Sequence, residues 1–297
     1  MACTSVRAHL AVTFVWKAIV HDVVRPHQQE YDMTHPLPTV NKFRSAKCIE
    51  IIAATLLFAL HCTTTLAAEL PTLVLNSASA PPYATDAGDG FLDIIVGEAF
   101  RRAGLRLKIV RLSGERGLKN ANDGLEDGEL ARIGGMEKMY PNLVPVPGKI
   151  VDYHFVAFTR QAKLTNASWD TLAPFSIGYL RGWKIYERSL KPETKTTVVD
   201  TPEQLFSILD KDRIDVALYE RSLGLALINK LEIKNLRVAE PALIELAMFI
   251  YLNKKHADKV PAIAKALSEL KAEGFYERTC KKIFTPLAIP TEQCMTK

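Results

Sequence analysis

The sequence predicts an α/β protein built as two similar lobes, and three observations carry that prediction. Short apolar runs of strand character alternate with stretches of helical periodicity between Leu73 and Ile133. That order builds a parallel sheet flanked by helices. The alternation then restarts at Phe175 and continues to Lys230, and two extended segments, 153–160 and 244–252, stand where the chain would cross between the halves.

In the first half the spacing predicts a strand at 73–75, ended by the turn-rich stretch from Ser77 to Pro82. A helix follows over 91–103, with Phe91, Ile94, Ile95, Ala99 and Phe100 at helical spacing and Gly104 as its stop. A strand at 107–110, a helix at 115–125 closed by Glu126-Asp127-Gly128, and a strand at 130–133 complete the half. In the second half a strand at 175–180, a helix at 182–190 and a strand at 196–199 precede Thr201-Pro202-Glu203. Thr201 is an N-cap residue, Pro202 suits the first turn, and Glu203 suits the positive helix end. A strand at 214–218 and a helix at 222–230 follow. One long helix is expected over 254–274, with Val260, Ile263, Ala264, Leu267 and Leu270 on one face.

The segment ahead of these elements has the order of a secretory signal. Lys42, Arg44 and Lys47 precede an apolar run over 49–60, and Leu66-Ala67-Ala68 supplies a small-residue cleavage site. The apolar core is about 12 residues, well short of the roughly 20 that span a bilayer. Residues 1–68 are therefore read as a leader cut near Ala68, with 33–68 the signal peptide. Residues 1–32 lie ahead of a true start at Met33 or form an unstructured arm. The remaining 32 Lys/Arg and 29 Asp/Glu leave a net charge of +3. That is too mild to indicate nucleic acid, and no basic cluster with interleaved aromatics occurs. Cys280 and Cys294 remain after cleavage, 14 residues apart. In an oxidising compartment they could close a loop worth about 3 kcal/mol; two free thiols in a frayed tail are the alternative. His154 and His256 lack partners at metal-ligand spacing, so neither metal nor cofactor is expected. Trp183 is read as a core residue and Asp93 as a first-turn acid.

Five motifs in order resemble one family across the chain from Glu69 onward. They are Ala80-Pro81-Pro82-Tyr83, Gly90-Phe91 with Ala103-Gly104-Leu105, Ile177-Gly178-Tyr179-Leu180-Arg181-Gly182, Arg213-Ile214-Asp215-Val216-Ala217, and Ala266-Leu267 through Gly274-Phe275-Tyr276. The family is that of the family 3 solute-binding proteins, the type II periplasmic binding-protein class that serves ABC importers. The resemblance implies a two-lobed fold with two hinge crossings, lobe 1 over 69–157 and 248–297, and lobe 2 over 158–247. It implies that Tyr83 lines the cleft and that Glu220, following the Arg213–Ala217 strand motif, holds a ligand cation. Glu220 also suits a first-turn acid that needs no ligand.

Amino-acid binders of this family carry a Thr-x-x-Arg motif that grips a carboxylate, and it is missing here. Gly135-Met136-Glu137-Lys138-Met139-Tyr140 stands in its place, and the chain looks like a variant subgroup. Arg132, at the end of its strand, is the substitute expected to reach the cleft, with an ion pair as the alternative. Arg181, beside Gly182 at a helix start, suits an anion. The resulting expectation is a monomeric periplasmic protein without enzyme activity. It would capture a small polar or anionic solute, amino-acid-like or a carboxylate, for the membrane subunits of an ABC importer. A cyclohexadienyl dehydratase-like enzyme and a sensory or partner-docking module are the alternatives.

Overall fold

A computed structural model describes residues 69–292 and 294; the signal-peptide and Met33 readings lie outside the described residues. The chain begins with β1 (Thr72–Ser77), α1 (Phe91–Arg102), β2 (Arg106–Arg111), α2 (Gly114–Asp123) and β3 (Gly128–Ile133). β1 pairs in parallel with both β2 and β3. α1 buries Phe91, Leu92, Ile95, Val96, Ala99 and Phe100, the face that its periodicity marks out. Asp93 accepts the N–H groups of Gly90 at 3.0 Å and Thr85 at 2.8 Å, so it satisfies donors at the helix start. Gly104, with φ of 73°, turns the chain out of the helix.

β4 (Leu143–Pro145) and β5 (Val151–Thr159) lead into the second alternation: β6 (Ile177–Leu180), α3 (Lys184–Ser189), β7 (Thr196–Val199), α4 (Pro202–Asp210), β8 (Val216–Glu220) and α5 (Arg221–Lys230). β6 is parallel to β7 and β8. Thr201 caps α4 as its residue type suggests: Oγ1 accepts from Gln204 N at 3.2 Å, while Gln204 Oε1 accepts from Thr201 N at 3.3 Å.

Two long strands join the halves. β9 (Arg237–Asn253) pairs antiparallel with β3 and β4 near its carboxyl end and with β5 along much of its length. β5 pairs antiparallel with β8. The outcome is one sheet of order β2-β1-β3-β9-β5-β8-β6-β7, with β4 on β9. The predicted crossing at 244–252 falls inside β9, and that at 153–160 begins in β5 and overruns it by one residue. Their ladder breaks once: Phe155 faces Ile244 but Ala157 faces Ala239. β9 therefore spends five residues where β5 spends two. Pro241 lies in that excess, where its missing N–H costs no ladder bond.

The carboxyl-terminal region departs from expectation. Instead of one helix over 254–274 there is a short 3-10 stretch, Lys254–Lys259, followed by α6 (Val260–Ala272). A further helix, α7 (Phe275–Phe284), comes after it. Gly274 separates the two helices at φ 68°, a conformation that reverses the chain at little cost only for glycine. α7 buries Tyr276, Cys280 and Phe284. Cys280 and Cys294 are joined as a disulfide with Cα atoms 5.9 Å apart. Both sulfurs are buried in the same core as Phe91 and Phe100.

Candidate functional site

The carboxyl ends of β1 and β8 belong to opposite halves of the sheet, and each delivers one side chain to a common point. After β1 the chain turns tightly through Ala80-Pro81-Pro82-Tyr83, with Tyr83 N and Ala84 N both bonded to Ala80 O. The turn is fastened to the start of α1 by Phe91 N to Pro82 O at 3.0 Å and Leu92 N to Tyr83 O at 2.7 Å. Gly90 permits this approach: a Cβ there would lie 2.6 Å from Tyr83 O. Tyr83 is thereby held with its side chain fully buried.

β8 ends at Glu220, also fully buried. Glu220 Oε1 accepts the Tyr83 hydroxyl at 3.2 Å, and Oε2 accepts Leu223 N at 2.9 Å. The second bond makes Glu220 the N-cap of α5. The helix-start role considered for this carboxylate is thus filled as an N-cap, and its other oxygen meets Tyr83 from the other half of the sheet. The Tyr83 ring stacks on Tyr153 of β5 at 4.8 Å, and Phe284 meets its edge at 5.7 Å. The Tyr153 hydroxyl lies 3.1 Å from Ser79 Oγ. Farther along, Trp183 stacks on Tyr219 at 4.9 Å and on Tyr186 at 5.7 Å, so it packs in the core of the second half.

Glu220 is the carboxyl of this group, and among the described residues no cation is bonded to it. Burial pushes the Glu220 carboxyl up to about 7, against hydrogen bonds from Leu223, Ser222, the Tyr83 hydroxyl and His154 that favour its charged form. Burial also raises the Tyr83 hydroxyl far above its ordinary value, and the Glu220 charge adds to the effect. Tyr83 therefore remains a donor at neutral pH.

Among the described residues no hydrogen bond joins Arg132 to this group; burial raises the pKa of the Tyr153 hydroxyl, and the Arg132 charge favours its ionised form. Its own bonds run elsewhere: Nε and Nη2 donate to Glu129 Oε1 at 3.0 and 2.6 Å, and Nη2 to Gly114 O at 3.0 Å. Glu129 is buried, and burial pushes it up to about 7 while Arg132 pulls it down. α2 leaves space for the pair, since a Cβ on Gly117 would sit 2.7 Å from Glu129 Oε2. Arg181 is exposed and donates Nε to Asp200 at 2.8 Å. Among the described residues, none of its bonded partners belongs to the Tyr83–Glu220 group.

Sequence reasoning missed Ser79, Tyr153 and Glu129. Tyr153 sits within a predicted crossing, and Glu129 is an acid in an otherwise apolar strand beside Arg132; those were the signals available. An open groove between α1 and β2 is lined by Thr85, Asp93, Leu107 and Arg111, apart from the group. Its charges are engaged within the protein, Asp93 on backbone and Arg111 on Asp86. His154 faces Glu245 at 3.7 Å and His256 bonds Asp127 at 2.7 Å. Among the described residues no His/Cys/Asp/Glu cluster could hold a metal ion, and no helix is long and apolar enough to cross a membrane.

No family model matches the chain. It is 25% identical over 193 residues, 63% of this chain and 73% of the relative, to a Shewanella oneidensis protein described as uncharacterized. Among solved structures it is similar to a mutant of ArgBP from T. maritima, at 20% identity and a TM-score of 0.59, covering 72% of this chain and 95% of that one. A histidine kinase sensor domain with similarity to periplasmic binding proteins gives 16% identity and a TM-score of 0.60, covering 71% and 95%. The substrate binding protein of an amino acid ABC transporter gives 16% and 0.58, covering 72% and 99%. At these identities the likeness is one of fold. The chain has the two-lobed α/β fold of periplasmic-binding-protein-like domains.

Proposed function

We propose that this chain is an exported solute-binding protein that holds a small amino-acid-like or carboxylate solute between its lobes. It releases the solute unchanged to the membrane subunits of an ABC importer, working as a monomer in the periplasm. The observation that carries this reading is the meeting of Tyr83 and Glu220, one from each half of the sheet, at 3.2 Å. Ligands of open α/β sheets bind beyond the carboxyl ends of the strands, and both residues come from such ends.

In this reading lobe 1 comprises 69–157 and 248–297, lobe 2 comprises 158–247, and the irregular β5–β9 ladder serves as the hinge. Glu220 accepts the solute's ammonium and Arg132, oriented by Glu129, receives its carboxylate. Tyr83 and Tyr153 cover the apolar part. Preferential binding to the closed arrangement drives closure. Arg181 takes no part, because it lies exposed at the surface with Asp200, away from the Tyr83–Glu220 group. The names of two similar structures, an ArgBP and an amino acid transporter's binding protein, support the solute class.

Native mass spectrometry of the purified protein, followed by a thermal-shift panel of amino acids, carboxylates and amines, tests the proposal. A true ligand at a hundred times its Kd stabilises by about 2.7 kcal/mol and is recovered intact. Recovery of a converted product would make the protein an enzyme, and a flat panel with no co-purified adduct would remove the solute-binding role.

A further inference from the structure

We propose that Tyr83 is a built-in latch: its hydroxyl takes the place of a ligand donor on Glu220 and holds the two lobes shut. This rests on the reading of Glu220 as the ligand anchor, and it adds a competitor already present in the chain.

Several groups donate to Glu220. Backbone N–H groups of Leu223, Ser222 and His154 do so, together with the Tyr83 hydroxyl. The backbone donors belong to α5 and β5 and cannot leave without unwinding those elements. Among the described residues Tyr83 is the one side-chain donor, and it arrives from the other half of the sheet, 137 residues away in sequence. It is therefore the exchangeable member. Withdrawing it leaves Glu220 held by its own helix and by β5, without a bond to the β1–α1 turn.

The bond is also built to persist. Tyr83 and Glu220 are both 0% exposed, so their 3.2 Å bond is sheltered from competing water. The ring is placed by three independent supports: the Ala80 turn, the Tyr153 stack and the Phe284 edge. A solute ammonium must displace this hydroxyl to reach Oε1. The latch thus lowers apparent affinity by the fraction of molecules that it keeps closed.

Small-angle X-ray scattering of the protein without added solute tests the latch. Tyr83→Phe keeps the ring and removes the donor; its radius of gyration should rise above that of the wild type. Tyr276→Phe, which removes a buried hydroxyl that has no hydrogen-bond partner, should leave the radius unchanged. A folded Tyr83→Phe protein that scatters as the wild type does overturns the proposal, as does an equal expansion in Tyr276→Phe. Should Tyr83→Phe fail to fold, Glu220→Ser replaces it, because serine still caps the helix start and is too short to reach the Tyr83 hydroxyl. An unchanged profile there is equally fatal. An expanded Tyr83→Phe that binds nothing in the panel keeps the latch and removes the solute-binding reading. A closed variant that still binds does the reverse.

Discussion

Glu129 and Arg132 lie three residues apart on one β-strand, yet Arg132 Nη2 reaches Glu129 Oε1 at 2.6 Å. Residues at that spacing on a regular strand point to opposite faces. The register supplies the reason: Glu129 faces Tyr251 while Arg132 faces Phe249, so β3 spends three residues against two on β9. This bulge carries one extra residue and returns Arg132 to the side of its partner. The guanidinium is thereby aimed by a carboxylate on its own strand.

Removing Arg132 leaves Glu129 buried without a counter-charge. Breaking a fully buried pair costs about 3–5 kcal/mol, and Arg132→Ala should cost somewhat less, because the arginine is 18% exposed. Urea unfolding measures the loss, and Arg132→Ala with Glu129→Gln should be more stable than Arg132→Ala alone. The same single variant should abolish thermal stabilisation by any anionic solute; retained stabilisation would take Arg132 out of the clamp.

Stability should fall as pH rises from about 5 to 8. Glu220 and Glu129 are both raised from 4.5 to about 7 in the folded protein. Between those values the folded state holds protons that the unfolded chain has released, so each rise in pH favours unfolding. The stabilisation is complete below the unfolded value and is lost as pH passes through the folded one. Each group contributes on the order of 2–3 kcal/mol across that window at most. Urea midpoints at pH 5 and pH 8 give the slope, which Glu220→Gln should flatten by roughly half. An identical slope in the variant would remove Glu220 as a source.

Gly90→Ala should destabilise on two counts, since Gly90 is the N-cap of α1, where alanine is disfavoured, and the space for a Cβ is already filled. Its Cβ would fall 2.6 Å from Tyr83 O and 2.8 Å from Ala84 Cα, both backbone atoms that cannot swing aside. A cost of about 1–3 kcal/mol is expected from such overpacking. Near-ultraviolet circular dichroism should change with it as the Tyr83–Tyr153 stack loosens; a wild-type spectrum and midpoint would refute the contact.

Reducing the disulfide should lower stability by about 3 kcal/mol in the loop-closure account. Cys280→Ser with Cys294→Ser should reproduce the loss, and dithiothreitol should then have no further effect on the melting temperature. Because Phe284 of α7 packs on both Tyr83 and Phe91, loosening the tail should also weaken the Tyr83 turn. Faster amide exchange at Leu92, whose N–H bonds Tyr83 O, is the readout for that coupling.

Much of the architecture was legible locally. The order of strands and helices, the Thr201 cap with its Gln204 return bond, the Gly104 stop and the two crossing strands depend on residues a few positions apart. Caps, turns and periodic faces are decided at that range. The helix end at Gly274 was legible too, whereas the 3-10 start over Lys254–Lys259 and the further helix α7 were not. Motif order suggested Tyr83 and Glu220 as site residues, and strand-end and helix-start positions suggested Arg132 and Arg181, but not what each would touch.

What the sequence by itself determined is the two-lobed α/β plan and which residues stand at its strand ends. The tertiary structure alone decided that Tyr83 would bond Glu220 across 137 residues, that a bulge would turn Arg132 onto Glu129, and that Arg181 would face Asp200 instead. The division has a physical cause. Helical and strand preferences act over a few residues, whereas these partnerships exist only after the sheet has closed and removed water from around the charges.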